Sequence, residues 1–189
     1  GRLGVDALRY FLLREVPFGQ DGSYSAEAIV ARANAELANS FGNLAQRTLS
    51  MIYKNLDGVL PAAGDAQEDA ELLGLVRKAA DEEVPQAFER LAFSVGIEAW
   101  LRAVFACNAY VDTQAPWALR KTDPERMAAV LGTLVVAVRR LARAIAPIIP
   151  LSADKLLTQI DAGAGGAPIA LPQPLFPRLE LEEEPEAAA

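Results

Sequence analysis

Histidine is missing from all 189 residues, and cysteine occurs once, as Cys107. Without histidine there is no Ser-His or Cys-His nucleophile pair and no default general base near neutral pH. Too few soft donors remain for a tetrahedral zinc site. A lone cysteine inside an apolar run has no intrachain partner; it reads as a small buried hydrophobe in a reducing compartment. Long uncharged runs are lacking too. The most apolar stretch, 127–149, is broken by Arg139, Arg140 and Arg143, whereas a membrane span needs ~20 largely uncharged residues. Asp6, Arg9, Arg14 and Glu15 interrupt the first apolar segment, so no signal peptide is expected there. Nor is there a basic excess. The net charge is −7, which argues against a non-specific grip on a polyanion. A nucleic-acid role would rest on a few placed groups or on a partner domain. The acids cluster in runs such as Asp81-Glu82-Glu83, as solvated faces do, rather than as a pair sharing a dry cleft. The segment 163–166 lacks the Lys-Ser/Thr of a phosphate loop and follows no strand, so it reads as a flexible linker.

What is present is apolar and helical. Hydrophobic residues make up 52 % of the chain, enough for a core without staples. No segment sustains alternation, and apolar residues recur mostly three and four apart. Val5 to Leu13 reads as a first helix, ending in the turn-rich segment 16–22. Ser25 reads as the N-cap of a helix running to Asn55, with Glu27 in its first turn. A third helix is predicted over 70–83, and Val84-Pro85 is predicted to break it, because proline disfavours helix in the residue before it. A fourth is predicted over 85–112, leaving the helical path by Pro116. Asp123-Pro124 is the N-cap and first-turn proline of a fifth, stopped by Pro147 and Pro150, with a short helix over 152–160. The fold class expected is all-α, an antiparallel bundle of about five helices. Residues 1–24 read as a linker from an upstream domain, 25–162 as the helical domain, and 163–189 as a Gly/Pro-rich acidic tail on the surface or disordered.

Three features exceed what a bundle needs. Asn39, Asn43 and Arg47 are spaced i, i+4, i+8 and so share a face. Their planar donor sets suit base edges, though a solvated face would look the same. Gln114-Ala115-Pro116-Trp117 places an aromatic at a helix exit, where it can either stack on an unpaired base or plug the bundle end. Trp100, mid-helix among apolar neighbours, reads as core. Arg120-Lys121 and the arginines at 139, 140 and 143 can meet phosphates or simply solubilise the bundle.

The segments Phe41-Gly42-Asn43-Leu44-Ala45-Gln46-Arg47 and Asn108-Ala109-Tyr110-Val111-Asp112-Thr113-Gln114-Ala115-Pro116-Trp117 together resemble the anticodon-binding helical domain of methionyl-tRNA synthetases. The Asn-x-Tyr…Pro-Trp pattern is broad among class I synthetases, and the Asn-Leu-x-x-Arg pair narrows it to the methionine enzyme. The opening Gly4-Val5-Asp6-Ala7-Leu8-Arg9-Tyr10-Phe11-Leu12-Leu13-Arg14-Glu15 resembles the segment joining that enzyme's catalytic and helical domains. Pro174-Leu175-Phe176-Pro177-Arg178 resembles the close of its short form. The resemblance implies that Trp117 stacks on an anticodon base, that Asn43 and Arg47 bond the first anticodon base, cytosine, and that Asn39 supports that face. Arg120 and Lys121 would meet the backbone.

The partner implied is methionine tRNA with its CAU anticodon, in the cytoplasm, beside a catalytic domain of the same protein. The family's His-Ile-Gly-His-like and Lys-Met-Ser-Lys-Ser-like motifs are absent. The chain therefore reads as a C-terminal fragment with no catalytic residue, metal or cofactor of its own. ATP, and zinc where a knuckle insertion exists, would belong to the rest of the parent ligase. Two other readings stay open. One is the same domain from a sister class I synthetase, decided at Asn43 and Arg47. The other is a helical interaction or oligomerisation module with Trp117 inside an apolar patch.

Overall fold

The computed structural model describes residues 4–15 and 25–180. The turn expected at 16–22 and the end of the acidic tail, 181–189, lie outside the described residues. Helix α1 is Val5–Glu15. Ala26–Arg32, Ala33–Gly42 and Asn43–Asn55 run on without interruption as α2. Gln67–Lys78, Ala79–Glu83 and Val84–Glu89 likewise form α3. Then come α4 (Phe93–Gln114), the short α5 (Pro116–Thr122), α6 (Pro124–Ile145) and α7 (Pro150–Ala162). The described residues are an all-helical bundle. No helix among them is long and apolar enough to cross a membrane.

Local chemistry sets several boundaries as expected. Ser25 Oγ accepts from the Ala28 amide at 3.1 Å, and Asp123 Oδ1 accepts from the Arg126 amide at 3.0 Å. Each satisfies a first-turn donor that the helix itself leaves open. Elsewhere the structure corrects the sequence. Val84-Pro85 does not break α3. The helix widens to π spacing at Ala79–Glu83 and carries Pro85 in the turn that follows, where a missing N–H costs little. The break lies at 90–92 instead. Leu91 takes a left-handed φ of 61°, with its amide on Phe88 O and the Ala92 amide on Ala87 O. That is a Schellman closure with leucine where glycine is usual. The helices expected to stop before Pro116 and Pro147 do so, at Gln114 and Ile145, and Pro116 and Pro150 open the helices that follow.

Trp100 sits at the centre of the core, with none of its surface exposed. Its Nε1 donates to Leu141 O at 3.0 Å. Phe41 and Tyr10 meet its ring edge-on at centroid distances of 4.9 and 6.2 Å. One residue of α4 thus ties together α1, α2 and α6. Helix α1 is integral to the bundle. Tyr10 and Phe11 are buried, Arg9 donates to Pro147 O and Ile148 O, and Asp6 accepts the Ser152 amide at the start of α7.

After α7 the chain turns back as a strap. Ile169 is buried and pairs its amide with Gly58 O at 2.9 Å. Farther on, the Asn34 side chain bonds both polar groups of the Leu179 backbone, at 2.9 and 2.8 Å. Residues 167–180 therefore lie against the helices, and the strap wraps α2.

Burial pushes the Cys107 thiol up to about 12. Burial, helped by Glu36, also raises the Tyr10 hydroxyl, and burial with Asp69 raises that of Tyr110. A raised folded-state value means stability that is complete below the ordinary value and lost as pH rises through the folded one. The melting temperature is expected to fall above about pH 9, led by Cys107 from its ordinary value of 9.0. The tyrosines follow from 10.0. A melting series from neutral to alkaline pH checks this. Cys107→Ala should delay the onset, because only the tyrosines then remain.

Candidate nucleic-acid interface

The polar face of α2 begins in its wide stretch. Over Ala33–Gly42 the backbone follows π spacing, and Ser40 Oγ accepts that geometry by donating to Ala35 O, five residues back. Asn43 stands where α spacing resumes, its amide still bonded to Ala38 O. The stripe Asn39–Asn43–Arg47 thus crosses a change of helical register. Single π turns inside α-helices often occur at functional sites. Asn39 and Asn43 are exposed, and among the described residues neither side-chain amide has a partner.

One turn on, Arg47 reaches across to α5. Its guanidinium carbon lies 5.3 Å from the centre of the Trp117 ring, within cation–π range. Its Nη2 is 3.7 Å from Asp112 Oδ1 on α4. Trp117 is 49 % exposed, so the structure brings Arg47 and an accessible indole together beside two free amides. Arg120 and Lys121, in the last turn of α5, are exposed and unpaired among the described residues. Arg139 and Arg140 are engaged elsewhere, with Asp161 and Asp81.

What holds Trp117 in place was missed by the sequence reading. Ala115 adopts a left-handed φ of 45° between α4 and α5. Beneath this corner lies Asp69, fully buried. Arg126 donates to both its oxygens, at 2.6 and 2.9 Å. The Tyr110 hydroxyl and the Ala66 amide donate to it as well. Arg126 also donates to Gln114 Oε1 at 2.8 Å, one residue before Ala115. Burial works against the Asp69 charge, but the bonds from Arg126, Tyr110 and Ala66 prevail and hold its carboxyl below the ordinary carboxylate range. Asn108 donates to Val104 O and to Ser40 O, joining α4 to the π stretch of α2. The Asn108…Tyr110…Gln114 spacing is thus structural, and Trp117 is its exposed product. The one available signal for the network was Tyr110 and Gln114 falling i, i+4 on the face toward Asp69.

Among the described residues no group of three or more Cys, Asp or Glu side chains converges as metal ligands would.

A recess of about 380 Å³ opens beside the stripe, lined by Asn39, Asn43 and Gln46 on α2 and by Pro174, Leu175 and Phe176 on the strap. The candidate site therefore has an indole with its arginine on one side and a half-covered slot on the other.

Residues 60–180 match the family model described as the anticodon binding domain of methionyl tRNA ligase. Residues 1–49 match that of class I tRNA synthetases (M). The chain is 46 % identical to a methionine–tRNA ligase of Brucella melitensis, over 97 % of its own length and 38 % of the relative's. It is 45 % identical to that of Mycobacterium tuberculosis, over 97 % and 39 %. The crystal structure of the free M. tuberculosis methionyl-tRNA synthetase superposes with a TM-score of 0.87 at 43 % identity, covering 96 % of this chain and 40 % of that one. The form bound by methionyl-adenylate gives 0.84 at 43 % identity, covering 93 % and 38 %. The chain thus spans less than half the length of the ligases it matches. With residues 60–180 matching that family model and the helical bundle superposing on the M. tuberculosis enzyme, it belongs to the family of methionyl-tRNA ligase anticodon-binding domains.

Proposed function

We propose that this chain reads the CAU anticodon of methionine tRNA and that Trp117, Asn43 and Arg47 do the reading. The observation that carries this is the Arg47 guanidinium lying over a half-exposed Trp117 on the face shared with Asn43. Anticodon bases are splayed and unpaired, and such bases are recognised by stacking on aromatics and by hydrogen bonds to their edges. Trp117 supplies the stack. Asn43 and Arg47 offer planar donors to the cytosine edge, Asn39 supports that face, and Arg120 and Lys121 meet backbone phosphates. The chain acts beside the catalytic domain of a cytoplasmic methionine–tRNA ligase. Aminoacylation, with its ATP and any zinc, belongs to that domain, and this chain alone does not aminoacylate.

Arg47→Lys tests the reading, since lysine keeps the charge but loses the planar fork. Titration of a labelled methionine anticodon stem-loop should show binding weakened about tenfold, the scale of one lost bidentate base contact. Equal binding by the variant and the wild type would overturn the assignment.

Salt dependence tests the phosphate contacts separately. With net charge −7 and few basic groups placed, log K should fall shallowly with log[salt]. Replacing both Arg120 and Lys121 by alanine should reduce the slope by about 1.4, since each single-strand phosphate contact contributes ~0.7. It should weaken all RNA sequences alike.

A further inference from the structure

We propose that the C-terminal strap is the second wall of the anticodon site, and that the recess between strap and α2 holds a second unpaired nucleobase. The inference rests on the anticodon-reading function above and adds a subsite to it.

Four observations converge. First, among the described residues the recess carries no charged side chain: Ala38, Asn39, Gly42, Asn43 and Gln46 line one side and Pro174, Leu175 and Phe176 the other. A phosphate would find no cation there, whereas a neutral base would find an apolar wall facing amides. Second, the Asn39 and Asn43 amides are exposed and, among the described residues, unpartnered. Each can donate to and accept from a base edge at once. Third, the strap is held in place. Gln46 Nε2 donates to Pro172 O at 3.2 Å, before the wall, and Asn34 clamps Leu179 beyond it. A wall fixed at both ends is preorganised for a ligand. Fourth, Phe176 closes against a glycine. A Cβ on Gly42 would stand 2.9 Å from Phe176 Cδ2, so the absence of a side chain at this position lets the ring seat against α2.

The volume, about 380 Å³, falls within the ~300–1,000 Å³ range of small-ligand clefts. Position argues for a second base rather than the first. Cytosine is assigned to the Trp117–Arg47 pair, and the recess runs along α2 from Asn39 to Gln46, lined by neither Arg47 nor Trp117 but sharing Asn43 with that face. Asn43 then lies between two neighbouring bases. Phe176 and Pro174 become recognition residues, and Asn34 becomes a positioning residue acting through the strap.

The experiment uses the full chain and three RNAs: the methionine anticodon stem-loop, and the same stem-loop made abasic at the second or at the third anticodon position. Dissociation constants are measured for wild type, Phe176→Ala, Asn34→Ala and Asn39→Ala, with Trp117→Ala as reference. Phe176→Ala is expected to weaken binding of the intact stem-loop about tenfold, within the range of one lost base–aromatic contact. Asn34→Ala and Asn39→Ala should follow in the same direction. Each effect should vanish on one of the two abasic RNAs and persist on the other. Asn39 is exposed, so its variant reports even where Phe176→Ala disturbs the fold, which a melting curve reveals. If Trp117→Ala weakens binding while the Asn39 and Phe176 variants do not, the recess inference is overturned and the anticodon reading stands. Equal losses on both abasic RNAs would also overturn it. If Trp117→Ala changes nothing, the underlying reading has failed.

Discussion

Trp117→Ala is expected to weaken binding of the methionine anticodon stem-loop about ten- to a hundredfold, while the melting temperature stays within about 2 °C of wild type. The two halves have separate causes. Stacking on an aromatic contributes ~1–3 kcal/mol per base, and the substitution also removes the ring over which Arg47 lies. Among the described residues the guanidinium then keeps its loose contact with Asp112, 3.7 Å away, and loses the support that aims it. The upper part of the range therefore reflects two damaged contacts. Stability is spared because the ring is half exposed and does not belong to the buried core; surface substitutions usually change stability by no more than ~0.5 kcal/mol. Trp117→Phe keeps a stacking face and should recover most of the loss. A stem-loop titration paired with a thermal melt separates recognition from folding. A large fall in melting temperature would mean that Trp117 is a structural plug, the competing reading of that residue.

Arg126→Met is expected to lower stability by ~3–5 kcal/mol, because it leaves the Asp69 carboxylate buried without its main partner. For a chain of this size that corresponds to a fall in melting temperature of roughly 6–20 °C. Both oxygens of Asp69 bond Arg126, and the Tyr110 hydroxyl and Ala66 amide cannot neutralise the charge alone. The sign with pH is definite. Because the folded-state value of Asp69 lies below the ordinary one, its contribution is complete above about pH 4 and is lost as pH falls through the lowered value. In the variant that acid-side loss should disappear, and lowering the pH toward 4 should partly relieve the destabilisation by protonating the stranded carboxylate. Removing Arg126 also frees Gln114, the last residue of α4. The corner that presents Trp117 should loosen, so stem-loop binding should weaken although Arg126 touches no RNA. A variant with unchanged melting and unchanged binding would refute both roles.

Most helix positions were legible in the sequence because their causes are local. Ser25 and Asp123 cap within three residues, and the three-and-four spacing of Leu37, Phe41 and Leu44 marks the buried side of α2. The misplaced break has an equally physical cause. Pro85 reads as a helix stop only if the preceding turns keep α spacing, and the π stretch at Ala79–Glu83 removes that premise. The true stop at Leu91 has no glycine to announce it. The candidate site was legible as a residue set but not as a geometry. The pairing of Arg47 with Trp117 spans seventy positions of sequence, and the clamp of Asn34 on Leu179 spans 145. Nothing within a helical period of either partner reports such contacts. The roles of the stripe came from family resemblance, whereas the corner built on Asp69, Tyr110 and Arg126 needed three-dimensional placement.

Intrinsic tryptophan fluorescence during titration with the anticodon stem-loop tests the central claim most directly. Trp100 is wholly buried and hydrogen-bonded to Leu141, so Trp117 is the tryptophan an RNA base can reach. The expected result is quenching that saturates with the binding isotherm. It should be absent in Trp117→Phe and strongly reduced when the first anticodon nucleotide is abasic. Saturable binding that leaves the fluorescence unchanged would contradict it.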